Sequence, residues 1–283
     1  MIYISEGQYE ILSEEQVELI RQEHGLDKPI IQQYILWVNN LVHGDLGKSL
    51  YYERDVAELL VTRLPTTLHL GVIAFFFGSI MGVLAGVVSA LRRAKAADLV
   101  VTIMANIGIT MPPFWLGILL IYTFGLKLGW LPIHGYTSPF DDFWQSTRQI
   151  IMPIICLSIF TVGGLARQAR SSVLEIIQHD YVRTAWSKGL SERTVVFRHV
   201  LKNSLIPIVT LSGVQISHIL GGSVLIESVF NISGMGRLAV EALLGLDYAI
   251  VQGVTLLTAI IVVLTNFIVD ISYSWLDPKI RLS

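Results

Sequence analysis

Five long stretches of this chain are nearly free of charge, and their length limits the fold more than any other feature. A hydrocarbon core about 30 Å thick takes roughly 20 apolar residues to cross as a helix, since no water is there to satisfy an open backbone. The stretches run from Pro65 to Leu91, Leu99 to Leu126, Gln149 to Ala166, Ser204 to Ile226 and Tyr248 to Val269, each bounded by ionisable residues. The expected fold is all-α, a polytopic transmembrane helical bundle in the lipid bilayer. Composition agrees, since 53% of the 283 residues are hydrophobic, only 15% are charged, and the mean hydropathy is +0.61. Such values lie outside the soluble globular range. The single cysteine, Cys156, sits in an apolar stretch, permits no internal disulfide and reads as a small core residue.

Orientation follows from lysine and arginine. Arg92, Arg93 and Lys95 mark one loop, Arg167, Arg170, Arg183, Lys188, Arg193, Arg198 and Lys202 mark another, and Lys279 and Arg281 mark the tail. If the spans alternate, these 12 of 20 basic residues share one side, which is expected to be cytoplasmic. Residues 1–64, with 11 acidic and five basic residues, then form an N-terminal extracytoplasmic segment ahead of a membrane domain over 65–283. Their opening string, MIYISEGQYEILSEEQ, has neither the basic nor the apolar region of a cleavable signal peptide. The expectation is therefore five spans here and a first helix missing from the sequence, which would have carried the acidic segment across. The net charge of −2 conceals this segregation and gives no reason to expect a nucleic-acid partner.

The basic loop at 179–203, HDYVRTAWSKGLSERTVVFRHVLKN, is too long and too helical to be a mere connection. Asp180 is placed to N-cap a short helix from Tyr181 to Lys188, Gly189 to end it in the left-handed conformation, and Ser191 to cap the next helix. Val182, Ala185 and Trp186 share one face at the i, i+3, i+4 spacing that lets a helix sit in a partner's groove, with Arg183 and Lys188 on its flanks. The sequence predicts a two-turn knob that another protein reads.

Inside the spans, Gly78, Gly82 and Gly86, continued by Ala90, form a row of small residues where a second helix can approach closely, although glycine is also simply common in membrane helices. Pro112 and Pro113 interrupt the second span, so the stretch through Phe114 and Trp115 is either a translocation-path element or an inert kink. Gln215 and His218 lie three apart on the fourth span, with Glu227 at its outer end; they are candidates for the path wall, against interhelical hydrogen bonds. His69 reads as a satisfied interfacial histidine and Asp270 as an anchor at the inner end of the last span.

Other chemistry is not expected. GDLGKS at Gly44 to Ser49 lacks the first glycine of a phosphate-binding loop, because Val42 occupies that position, and no strand precedes it. The chain is therefore not expected to be an enzyme or to hydrolyse ATP. Seven histidines are scattered without ligand spacing, so no metal site is expected. Internal repeats and midplane charge pairs, the marks of a secondary transporter, are not evident.

Several strings, in order, resemble one family: GLDKP at 25–29, GDLGKS, RLPTTL at 63–68, MPPFW at 111–115, RTAWSKGL followed by RHVLKNSLIP, GMGR at 234–237, DYAIVQG at 247–253 and LDPKIR at 276–281. They are similar to signatures of the permease subunits of ABC importers for dipeptides, oligopeptides and nickel. The resemblance covers roughly residue 20 to the end. It departs at Arg183 and Thr184, where many such importers have Glu-Ala ahead of the matching Ala185 and Gly189, and at Ser233, where proline is common. It implies a coupling helix contacting ATPase subunits through Val182, Arg183, Thr184, Ala185, Trp186, Lys188, Gly189, Leu190 and Arg198. It further implies a second permease subunit, two ATPase subunits that carry ATP and Mg, an extracytoplasmic solute-binding protein, and a place in a bacterial or archaeal plasma membrane. Within the family, peptide is favoured over nickel as cargo.

Overall fold

The computed structural model describes residues 2–5, 8–11, 18 and 27–276. A small antiparallel hairpin of β1 (Ile2–Ser5) and β2 (Gln8–Ile11) is an exception to the all-α expectation. The helices that follow are α1 (Ile30–Val42), α2 (Val56–Leu91), α3 (Ala96–Thr110), α4 (Pro113–Leu120), α5 (Phe143–Ile177), α6 (Asp180–Ser187), α7 (Glu192–Val195), α8 (Lys202–Val229), α9 (Met235–Leu244) and α10 (Tyr248–Leu276). Two wide π-helical turns, Ile121–Lys127 and Val196–Leu201, extend α4 and lead into α8. The tail strings beyond Leu276, the side chain of Asp270 and most of residues 1–26 lie outside the described residues.

Among the described residues four helices, α2, α5, α8 and α10, are long and apolar enough to cross a membrane. With 36 and 35 residues, α2 and α5 are about 54 and 52 Å long, at about 1.5 Å per residue, so each projects beyond the hydrocarbon. This is why α2 starts at Val56, nine residues before the apolar stretch itself. The start of α5 is fixed by Asp142, whose Oδ1 accepts from the Gln145 amide at 2.9 Å.

The second apolar stretch is not a single span. The chain bends by 105° between α3 and α4. Met111 precedes one proline and Pro112 another, and each is held extended with ψ near 126°. A residue before proline is driven out of the helical region, and here two in succession are. The pair makes a fifth crossing only as a broken span.

The bundle is built around α5. Of its apolar window 67% is buried, against 17% for α10, which leaves most of its surface free. Gly78, Gly82 and Gly86 bring α2 onto α5. A Cβ on Gly86 would lie 2.4 Å from the Ala166 carbonyl oxygen, and one on Gly82 would lie 2.9 Å from Leu165 Cβ. Gly163 on α5 does the same for α3, since its Cβ would stand 2.5 Å from the Ala105 oxygen. Backbones at such separations gain dispersion contacts that lipid cannot match. Apolar clusters follow α5 from one end, at Leu70, Met152 and Phe230, to the basic end, at Ala90 and Val173.

Candidate functional site

The knob exists and differs from expectation at its start. His179, not Asp180, is the N-cap, with ψ 144° and no side-chain cap bond; Asp180 is the first helical residue and faces the positive end of the helix dipole. At the other end Gly189 has φ +74°, its amide donates to the Trp186 oxygen at 2.9 Å, and the Leu190 amide reaches the Ala185 oxygen at 3.4 Å. This crossed pair is a Schellman stop. Ser191 caps α7 by accepting from the Thr194 amide at 3.4 Å.

The apolar face of α6 points inward. Val182 (0% exposed) and Ala185 (5%) pack on Ala90 of α2, on Val173 of α5, and on Val195 and Val200. They seat the knob on its own chain and cannot be the surface a partner touches. Of the three expected docking residues, only Trp186, 40% exposed, is open to a partner. It shares the outer surface with Tyr181, Arg183, Thr184, Lys188 and Leu190, and Arg198 is exposed on the following turn. The i, i+3 spacing marks an apolar face without saying whose groove receives it.

Beside the knob, Asp98 at the start of α3 is held by four donors. Arg170 of α5 gives it Nε at 2.7 Å and Nη2 at 3.0 Å, Ser89 gives a hydroxyl at 2.5 Å, and Ala94, in the left-handed region at φ 61°, gives its amide at 3.0 Å. The clasp joins the ends of α2, α3 and α5 one turn from Val173. Removing one charge strands the other. Arg170→Met alone is therefore expected to lower the thermal midpoint in detergent more than Arg170→Met with Asp98→Asn; a larger loss in the double variant, the sum of the two single losses, would show that the pair acts independently.

Mid-bundle, a recess of about 310 Å³ opens between α5 and α8, lined by Phe160, Thr161, Ser217, His218, Gly221 and Pro113. His218 is exposed there, its ring 4.8 Å from that of Phe160. Gln215, 3% exposed, is turned away and accepts from Thr161 Oγ1 at 3.4 Å. It is an interhelical tie, not a wall residue. Glu227 is also withdrawn from any path, fully buried under the Gly234 turn. Pro113 joins His218 in the recess, whereas Pro112, Phe114 and Trp115 line a separate hollow of about 450 Å³ with Ile107 and Thr110. His69 Nδ1 is 2.9 Å from the Tyr136 hydroxyl.

At the end of the bundle away from the basic loops Tyr52, outside the spans, donates its hydroxyl to Glu241 of α9 at 2.8 Å. Burial, then the bond to that carboxylate, pushes the phenol up to about 12 from its ordinary 10.0. The neutral phenol is the favoured form, so its contribution to stability is complete below pH 10.0 and is lost as pH rises through about 12. An ultraviolet titration is expected to show late ionisation that is reduced by one tyrosine in Tyr52→Phe; an unchanged curve would remove Tyr52 from this role.

Residues 82–282 match the family of binding-protein-dependent transport system inner membrane components. The chain belongs to this family. Among its relatives is a protein of Brucella abortus strain 2308 named for a peptide transport system permease, 41% identical over 269 residues, covering 95% of this chain and 86% of that protein. A di/tripeptide transport system permease of Pseudomonas aeruginosa is 40% identical over 277 residues, covering 91% and 82%. The fold is also that of an inward-facing methionine ABC transporter, with a TM-score of 0.64 at 20% identity, over 77% of this chain and 96% of that one. The permease is thus a multi-pass component of an inner-membrane transport system and not itself a catalyst. Sequence reasoning missed the Asp98–Arg170 clasp, whose signal was an aspartate at the mouth of an apolar stretch, and missed Phe160, Ser217 and Gly221, which carry no signal without the fold.

Proposed function

We propose that this permease pairs with a second permease subunit to form the path of an ATP-driven importer, and that the path carries peptides. Two ATPase subunits, which bind ATP and Mg, stand below it, and an extracytoplasmic solute-binding protein delivers cargo from above. The observation that carries this reading is the seated knob: Val182 and Ala185 fix α6 to α2 and α5, while Tyr181, Arg183, Trp186 and Lys188 are exposed. A push on those exposed residues moves α5 and, through the π turn at Val196–Leu201, α8 with its His218 recess. Peptide is favoured over nickel because the relatives above are named for peptide cargo.

Gly189 tests the lever. No atom lies within 4 Å of a Cβ built there, so a side chain is opposed by the backbone alone, at φ +74°. Gly189→Val is expected to cost at least about 1 kcal/mol and to misdirect the knob. Peptide uptake into cells should fall sharply at normal membrane expression, and Gly189→Asn, which tolerates the left-handed region, should retain more. Full uptake by the valine variant would overturn the coupling role.

A further inference from the structure

Four of the strings that drew attention in the sequence meet at the outer end, where they form one continuous polar belt. Thr67, in RLPTTL, donates its hydroxyl to Glu227 Oε1 at 2.7 Å and accepts from the Met235 amide at 2.8 Å. The other Glu227 oxygen accepts from the Arg237 amide at 3.0 Å, and the Gly236 amide also donates to this carboxylate. Arg237, in GMGR, donates Nε to Glu241 at 2.6 Å, and the second oxygen of Glu241 accepts from Tyr52. The Tyr52 amide donates to Ser49 Oγ at 2.8 Å, and Ser49, in GDLGKS, donates to Asp247, in DYAIVQG, at 2.6 Å.

Glu227 is the pivot of this belt. It belongs to α8, yet it holds the first turn of α9. A Cβ on Gly234 would stand 2.4 Å from its carboxyl carbon, and one on Gly236 would stand 2.5 Å from Val224 Cα, so both glycines are needed for α9 to lie this close. The groups facing the carboxylate are all donors. An acceptor-only side chain satisfies them, whereas glutamine sets an NH₂ either against the backbone amides or against the Thr67 hydroxyl, which must then reverse its bond. From Glu227 to His218 is nine residues along one helix, about 13 Å at about 1.5 Å per residue.

We propose that Glu227 is a positioning residue that makes α9 and the outer half of α8 one rigid body, so that whatever lands on the outer face displaces the wall of the recess below. The inference rests on the importer reading above. In that setting the loaded solute-binding protein presses on α9, and Glu227 passes the displacement to α8.

The test uses the assembled transporter in proteoliposomes, with its solute-binding protein and a mixture of dipeptides and tripeptides. Basal ATP hydrolysis, its stimulation by the loaded binding protein, and binding-protein affinity are each measured. Glu227→Gln is expected to cut the stimulation about fivefold or more, the loss of one well-made polar contact, with basal hydrolysis and binding-protein affinity unchanged. Thr67→Val provides a second variant if Glu227→Gln does not assemble, and should act in the same direction, whereas Thr67→Ser, which keeps the hydroxyl, should behave as wild type. Normal stimulation in both Glu227→Gln and Thr67→Val overturns the inference alone. Loss of basal hydrolysis in parallel with stimulation reduces Glu227 to a purely structural role and also overturns it. A wild-type assembly that the loaded binding protein does not stimulate overturns the importer reading and the inference with it.

Discussion

Aspartate in place of Val182 is expected to release the knob from its seat and abolish transport while leaving the chain in the membrane. Val182 has no exposed surface and its neighbours in the cluster are apolar, so the carboxylate would be buried without a partner. The penalty is about 3 kcal/mol or more, and α6 has only eight residues with which to resist it. An isolated helix of that length is unstable in water, so the docked state is what keeps it helical. Limited proteolysis should cut the 179–203 loop much faster than in wild type, and peptide uptake should be lost. Val182→Ile, which keeps the seat apolar, should do neither. Wild-type uptake and protease resistance in the aspartate variant would show that the buried face does not hold the knob.

The second large effect is expected at Gly86. A single methyl there meets the Ala166 carbonyl oxygen at 2.4 Å and Ala169 Cβ at 2.7 Å, and backbone cannot give way as a flexible side chain can. Overpacking of this kind costs about 3 kcal/mol. Gly86→Ala should lower the thermal midpoint in detergent markedly and reduce the amount of folded protein in the membrane. Gly78→Ala, where the nearest atoms are the Thr161 side chain at 3.0 Å, should be milder. The order of the two variants is the measurement; equal midpoints would mean that α2 and α5 slide apart without cost.

Much of this architecture was legible in the sequence because hydrocarbon thickness fixes helix length. The end of the knob could be read for a local reason: Gly189 and Ser191 act through their own backbone neighbours. What could not be read depends on which helix lies opposite. Val182 and Ala185 form an apolar face in any context, and only the positions of α2 and α5 show that the face is internal. Gln215 and Glu227 could be read as wall residues or as interhelical ties, because a polar group in a span must meet something; the sequence could not tell that the something was Thr161 and Thr67. Pro112 and Pro113 announced a break, but its 105° angle is a property of how α3 and α4 pack. Arg170 reads only as one of the basic residues and Asp98, 72 residues away, is not singled out, because pairing at that distance leaves no local pattern.

The belt from Thr67 to Asp247 sets an order of manufacture. Ser49 leaves the ribosome 198 residues before the aspartate it binds, a wait of roughly 10 to 40 s at about 5–20 residues per second. Within that interval Glu227 becomes available to Thr67 first and Glu241 to Tyr52 next, and Asp247 comes last. The belt is therefore closed only once Asp247 has been made, and a chain stopped short of it lacks the acceptor shared by the Ser49 hydroxyl and the Tyr51 amide.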